Sequence, residues 1–121
     1  MEVAFRTVSK RDLKRLNEIV NDAEVSIFLS LIPPISFNST TKFFETSKKK
    51  GNLWYVVVAD GQIAGSMSLM PKEKGTKQAH VAEFGISLAK DYWGIGIGTK
   101  AIRFITSVAR KRGVKRIELG V

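Results

Sequence analysis

Three glycines in alternation, Gly94, Gly96 and Gly98, separate a strand-like stretch from a helical one, and no other feature constrains the fold as strongly. Upstream, His80 to Ala89 reads as a strand. Downstream, Ile97, Ala101, Ile102, Ile105, Val108 and Ala109 mark one face of a helix that Gly113 closes. Glycine has no Cβ, so the backbone of such a turn can come close to a ligand. A helix starting near Ile97 brings unpaired amides and the positive end of its dipole to the same place. Together they predict an anion site suited to a pyrophosphate. Thr99 adds a hydroxyl donor there, and Lys100 and Arg103 supply nearby charge. The plainer alternative is a tight turn that uses glycine for packing alone.

Two better-known phosphate motifs do not fit. The dinucleotide fingerprint needs G-x-G-x-x-G and a later acid for the ribose, whereas the spacing here is G-x-G-x-G and no later strand carries that acid. The nucleotide-triphosphate loop ends in Gly-Lys-Ser/Thr, but Gly98 is followed by Thr99 and Lys100 in the opposite order.

The rest of the chain supplies a sheet and its covering helices. Glu2 to Val8 alternates as an opening strand. Ser9 and Asp12 form a capping box before a first helix, which carries Leu13, Leu16, Ile19, Val20 and Ala23 and runs to about Asn21. Val25 to Ile32 is apolar without clear period, and Pro33-Pro34 stops whatever forms there. A second short helix starts near Ser39, carries Phe43 and Phe44 inward, and ends at Lys48-Lys49-Lys50-Gly51. Leu53 to Ala59 and Gln62 to Met70 read as antiparallel strands joined by the Asp60-Gly61 hairpin turn, with a charged loop from Pro71 to Gln78. Arg116 to Val121 reads as a last strand, parallel to the one before the glycine turn and reached by a right-handed crossover. The expected fold class is therefore α/β, a single domain over residues 1–121 with a mixed sheet flanked by helices.

Composition narrows the chemistry. The chain has no cysteine and one histidine, His80, so thiol chemistry and a multi-histidine metal site are excluded within it and no metal is expected. No apolar run approaches the roughly 18 residues of a spanning helix, and the N-terminus lacks a signal pattern, so a cytoplasmic domain is expected. Twenty Lys and Arg against eleven Asp and Glu favour a polyanionic partner, and seven of those cations follow the glycine turn.

At Trp93-Gly94-Ile95-Gly96-Ile97-Gly98 the chain resembles the GNAT superfamily of acyl-CoA-dependent N-acetyltransferases, whose signature is Gln/Arg-x-x-Gly-x-Gly/Ala at the start of the central helix. Trp93 departs from that signature, and with the following Gly-x-Gly-Ile-Gly-Thr it looks like the branch containing ribosomal-protein N-terminal acetyltransferases. Glu83-Phe84-Gly85-Ile86 upstream strengthens the likeness. The resemblance implies acetyl-CoA as co-substrate, its pyrophosphate on the backbone amides of Ile95 through Thr99 and its pantetheine arm along Ile86, Ser87 and Leu88 like an added strand. A backbone amide there would polarise the thioester carbonyl. Gly94, Gly96, Gly98 and Lys100 complete the implied cofactor set, and Trp93 either leans on the cofactor or packs. The family's thiolate-protonating tyrosine lies on a later helix, and this chain stops at Val121 before any such segment, so a fold lacking its C-terminal elements by truncation is expected.

Glu83 is the expected general base, because the family often uses a glutamate of this strand, commonly through a water. Alternation puts Glu83 on one face with Val81, Gly85 and Ser87, and Ala82, Phe84, Ile86 and Leu88 on the other. An ion-paired or surface carboxylate is the alternative. His80 titrates near neutrality but reads more simply as solvated, and Trp54, Tyr55 and Tyr92 read as core or rim aromatics. The resulting expectation is acetyl transfer from acetyl-CoA to a primary amine, a protein N-terminus or a small amine, by direct attack in a ternary complex. A degenerate acyl-CoA-binding module is the first rival, and a basic nucleic-acid-binding domain, resting on the cations from Lys100 to Arg116, is the weaker one. Acyl-CoA and an amine acceptor are the expected partners, with a homodimer left open and no membrane.

Overall fold

The computed structural model describes residues 2–22, 35–50, 52–71 and 81–119. The Val25–Ile32 stretch, Pro33-Pro34, most of the charged loop, His80 and the end of the last expected strand lie outside them. Five strands form one sheet in chain order: β1 (Val3–Thr7), β2 (Leu53–Ala59), β3 (Gln62–Pro71), β4 (Val81–Leu88) and β5 (Arg116–Leu119). Neighbours are antiparallel from β1 to β4, and β5 returns parallel to β4. The helices are α1 (Leu13–Val20), α2 (Phe37–Lys50) and α3 (Ile97–Lys111), with short 3-10 turns at Lys10–Asp12 and Lys90–Tyr92.

The hairpin turn at Asp60-Gly61 has positive φ at both residues (48° and 80°), which matches the right-handed twist of the strands it joins. Two residues later the β2–β3 register shifts by one, Val57 pairing Gly65 and Val58 pairing Ile63. The extra residue, Ala64, makes a bulge, and Gly65 beyond it lies opposite Leu88 of β4.

Strand alternation divides the core in two. Val57, Met67, Leu69 and Phe84 bury one face of the sheet against Ile97, Ala101, Ile105 and Ala109 of α3. The buried stripe of α3 repeats every four residues, with alanines allowing close approach. Ile102 therefore does not join it: the residue is 48% exposed, against the expectation that it faced inward. Phe104 is half-buried, stacking on Phe5 and meeting Tyr55 edge-on. The opposite face carries Val56 under Val8, Leu13, Leu16 and Phe44. An eight-residue helix such as α1 is below the roughly 12–15 residues at which helices become stable alone, so burial of Leu13, Leu16 and Ile19 holds it.

Helix α2 starts two residues before the expected Ser39 and turns Phe44, not Phe43, into the core. The two are adjacent, so the helical turn of about 100° per residue cannot bury both against one sheet. Phe43 instead sits 36% exposed with its ring edge-on to Trp54 at 4.8 Å. Asn17 and Asn21, one turn apart on α1, join the helices. Both donate to the Ile35 carbonyl, at 2.9 and 2.8 Å, and Asn17 also donates to the Thr40 hydroxyl.

The turn before α1 is fixed by an ion pair. Asp12, 2% exposed, accepts two hydrogen bonds from the Arg6 guanidinium at 2.8 and 2.9 Å, and others from the Ser9 amide and hydroxyl. The Arg6 bonds hold the Asp12 carboxyl down to about 2 from its ordinary 3.8, against the upward push of burial, and the Ser9 bonds add to the lowering. A depressed folded-state value means the stabilisation is complete above the ordinary value. It is lost as pH falls from about 4 towards 2. The gap corresponds to about 2 kcal/mol at neutral pH. Asp12→Asn is thus expected to lose about that much stability at pH 7 in urea unfolding, and the difference from the parent should close as the titration is repeated towards pH 2.

Candidate active site

The 3-10 turn after β4 delivers the chain to the glycines. Gly94 has φ +73° and Gly96, the residue preceding α3, has φ +85°. Side chains rarely adopt this left-handed region, so conformation requires glycine at both places. Gly98 lies inside the first helical turn without a positive φ, and conformation does not require it. Packing requires none of the three: a Cβ built at Gly94, Gly96 or Gly98 meets no atom within 4 Å. The turn's conformation thus accounts for Gly94 and Gly96, and at Gly98 the absent side chain leaves open space.

The helix start also carries free backbone donors. The Lys100 amide makes the first bond from the helix to Gly96, at 3.3 Å, so the amides of Ile97, Gly98 and Thr99 before it have no intrahelical acceptor. Gly94, Ile95, Gly96, Thr99 and Lys100 are exposed, while Ile97 is buried and anchors α3 to the sheet. No acidic residue stands in the first turn of α3. The arrangement is an open, positively biased cradle.

Trp93 ties this cradle to the strand: its indole nitrogen donates to the Leu88 carbonyl at 2.7 Å, and the ring is half-buried. The Ala89 amide bonds Ala64 of β3, so by alternation the peptide groups of Ile86 and Leu88 point the other way, towards β5. Strand β5 pairs with Val81–Phe84 and, among the described residues, does not reach Gly85–Leu88. Among the described residues the Trp93 indole meets this edge at the Leu88 carbonyl, while the side chains of Ile86 and Leu88 pack on the α3 core. Ser87 turns its peptide groups to β3 and its side chain to the opposite face.

On that face lies a cavity of about 430 Å³, walled by residues of α1 and α2 and floored by β3 and β4. Glu83, Gly85 and Ser87 line it, as alternation expected, whereas Ala82 and Phe84 are buried against α3. Glu83 is half-buried and stands opposite Met70. It lies five residues before Leu88, about 17 Å along the strand at the usual rise. The carboxylate and the Ile86–Leu88 segment therefore lie along one strand, which leads into the cradle. Sequence reading missed the far wall, Leu16 and the Phe43–Trp54 pair, although two asparagines one turn apart on α1 signalled a second element packed there. Among the described residues no cluster of His, Cys, Asp or Glu is placed to hold a metal ion, and no helix is long and apolar enough to cross a membrane.

An antiparallel run closed by one parallel crossover, with a left-handed glycine turn opening the crossover helix, defines a mixed-sheet acyltransferase fold. The family model for the acetyltransferase (GNAT) domain matches residues 2–121, and the chain belongs to this family. Solved structures agree on the fold. An N-acetyltransferase from Staphylococcus aureus Mu50 superposes with a TM-score of 0.83 at 19% identity, over 94% of this chain and 70% of that one. A ribosomal-protein-alanine N-acetyltransferase from Brucella melitensis gives 0.79 at 26% identity, over 92% and 69%. A phosphinothricin acetyltransferase from Sinorhizobium meliloti, in complex with AcCoA, gives 0.79 at 20% identity, over 90% and 60%. No curated protein matches the chain closely enough in sequence to count as a relative.

Proposed function

We propose that this chain transfers an acetyl group from acetyl-CoA to a primary amine, either a protein N-terminus or a small amine. The amine attacks directly, in a ternary complex. The observation that carries the reading is the cradle: three glycines that packing does not need, beside helix amides that have no acceptor. Acetyl-CoA bound to a solved relative supports the same co-substrate here.

Acetyl-CoA supplies an activated acyl group on a good leaving thiolate, and the chain's residues do the rest. The amides of Ile95 through Thr99 hold the pyrophosphate, with Lys100 adding charge. The edge of β4 at Ile86 and Leu88 aligns the pantetheine arm, and an amide of that edge donates to the acyl oxygen as negative charge develops on it. Ser87 braces this edge from the other face of the sheet. Trp93, bonded to the Leu88 carbonyl, keeps the cradle and the edge in fixed relation. Glu83 takes the proton that the amine must lose, through a water in the cavity.

Calorimetric titration with acetyl-CoA tests the cofactor site, and saturable binding is expected. Glu83→Gln should leave that binding unchanged and lower kcat by about 100-fold or more, the usual scale of a lost general base. Equal turnover in the variant and parent would remove Glu83 from the mechanism. A chain that only bound acyl-CoA would have no turnover to lose.

A further inference from the structure

The cavity beside Glu83 is built for a narrow class of acceptor. We propose that the acceptor is a small primary amine carrying one positive charge on an apolar or aromatic body. The inference rests on the acetyl-transfer reading above.

Charge comes first. The chain holds twenty Lys and Arg against eleven Asp and Glu, yet among the described residues lining the cavity Glu83 is the one charged side chain. One carboxylate matches one ammonium. A polyamine or aminoglycoside would bring a second cation into an apolar space with no second acid among the described lining residues to receive it, and desolvating an unpaired charge is costly. An acceptor bearing its own carboxylate or phosphinate would need a cation, and none stands among the described lining residues.

Shape and surface agree. A volume of about 430 Å³ lies near the lower end of the range for small-ligand pockets, roughly 300–1,000 Å³. Leu16 and Val20 of α1 supply an aliphatic wall, and the Phe43–Trp54 pair, edge-on at 85°, supplies an aromatic one. With Phe44 taking the core, Phe43 is left 36% exposed, and its ring lies edge-on to Trp54 in the cavity wall. The polar atoms sit together on the floor. Ser66 and Ser87, both buried, face each other at 3.4 Å, and Ser68 lies beside Gly85. An amine bound with its nitrogen at the Ser68–Gly85 end of this floor, two residues along β4 from Glu83, would lay its body between the two walls. Gly85 keeps the floor open, since a Cβ there would come within 3.3 Å of the Ser68 hydroxyl.

The test is a competition among amines on the full chain, followed by thiol release from acetyl-CoA, with a second readout by ligand-observed NMR that needs no turnover. The probes are 2-phenylethylamine, spermidine, glutamate and a tetrapeptide with N-terminal alanine. Phenylethylamine is expected to show kcat/KM at least tenfold above each of the others. Phe43→Ala should raise its KM about tenfold with a smaller change in kcat, and circular dichroism checks that the variant keeps its fold. Preference for spermidine, glutamate or the peptide, or an unchanged KM in Phe43→Ala, overturns the proposal. If no amine is turned over, NMR separates the two claims. Phenylethylamine binding that Phe43→Ala weakens upholds the pocket assignment while the acetyl-transfer reading fails, and no binding of phenylethylamine overturns the assignment itself.

Discussion

Gly96→Glu is expected to abolish measurable acetyl-CoA binding while the protein stays folded. At φ +85° a glutamate is forced into the left-handed region, which costs about 1–2 kcal/mol. Nothing lies within 4 Å of the added Cβ, so no clash increases that cost. The binding loss is larger. The new carboxylate sits at the helix start, where the amides of Ile97, Gly98 and Thr99 are unpaired, and it both accepts from them and repels phosphate oxygens. A loss of at least 100-fold, about 2.7 kcal/mol, is expected by calorimetry. Urea unfolding, run in parallel, should show the smaller conformational cost alone. Affinity within threefold of the parent would mean that the cradle is not the phosphate site.

The second large effect is on stability. Gly65→Ala places a Cβ 1.9 Å from the Ser87 carbonyl oxygen and 2.9 Å from the Leu88 Cα. Both are backbone atoms of strand β4, paired on both sides, so no flexible side chain can move aside. Overpacking of this kind typically costs 1–3 kcal/mol, and a backbone obstruction belongs at the upper end, about 3 kcal/mol. For a chain of this size that lowers Tm by about 10 °C. The damage should reach the site, because the strand pushed away carries Leu88, whose carbonyl anchors Trp93. A variant within 1 kcal/mol of the parent would show that the bulge at Ala64 absorbs the methyl group freely.

What was legible in the sequence was what neighbouring residues decide. The Asp60-Gly61 turn, the alternation along β4 that puts Glu83 and Ser87 on one face, and the glycine junction into α3 all rest on contacts or conformations a few residues apart. Pairings between distant segments were not legible. Arg6 meets Asp12 only because β1 leads straight into the turn that α1 follows, and Asp12 alone read as a cap. The expectation that Phe43 faces inward together with Phe44 failed for the same reason. In a helix rich in Ser, Thr and Lys the apolar period is weak, and Trp54 on another element decides which ring goes where. Ile102 misled for the opposite reason, an apolar residue beside a stripe too narrow to include it. The site divides likewise. Its proposed phosphate end is continuous in sequence, whereas the cavity beside Glu83 is assembled from α1, α2, β2, β3 and β4, and only Glu83, Gly85 and Ser87 of its lining were placed on one face beforehand.

The open cradle has a consequence for turnover. On the proposed reaction, the phosphates enter on acetyl-CoA and are still there on CoA after the acyl group has gone. Backbone amides of Ile97 to Thr99 grip those phosphates with the same strength before and after. They therefore contribute nothing to telling substrate from spent carrier, and tightening them would slow release as much as it favoured capture. Discrimination has to come from the other end, at Ile86 and Leu88, where the presence or absence of two carbons and an oxygen is felt. The glycine turn sets how much carrier is held; the edge of β4 sets whether what is held is worth keeping.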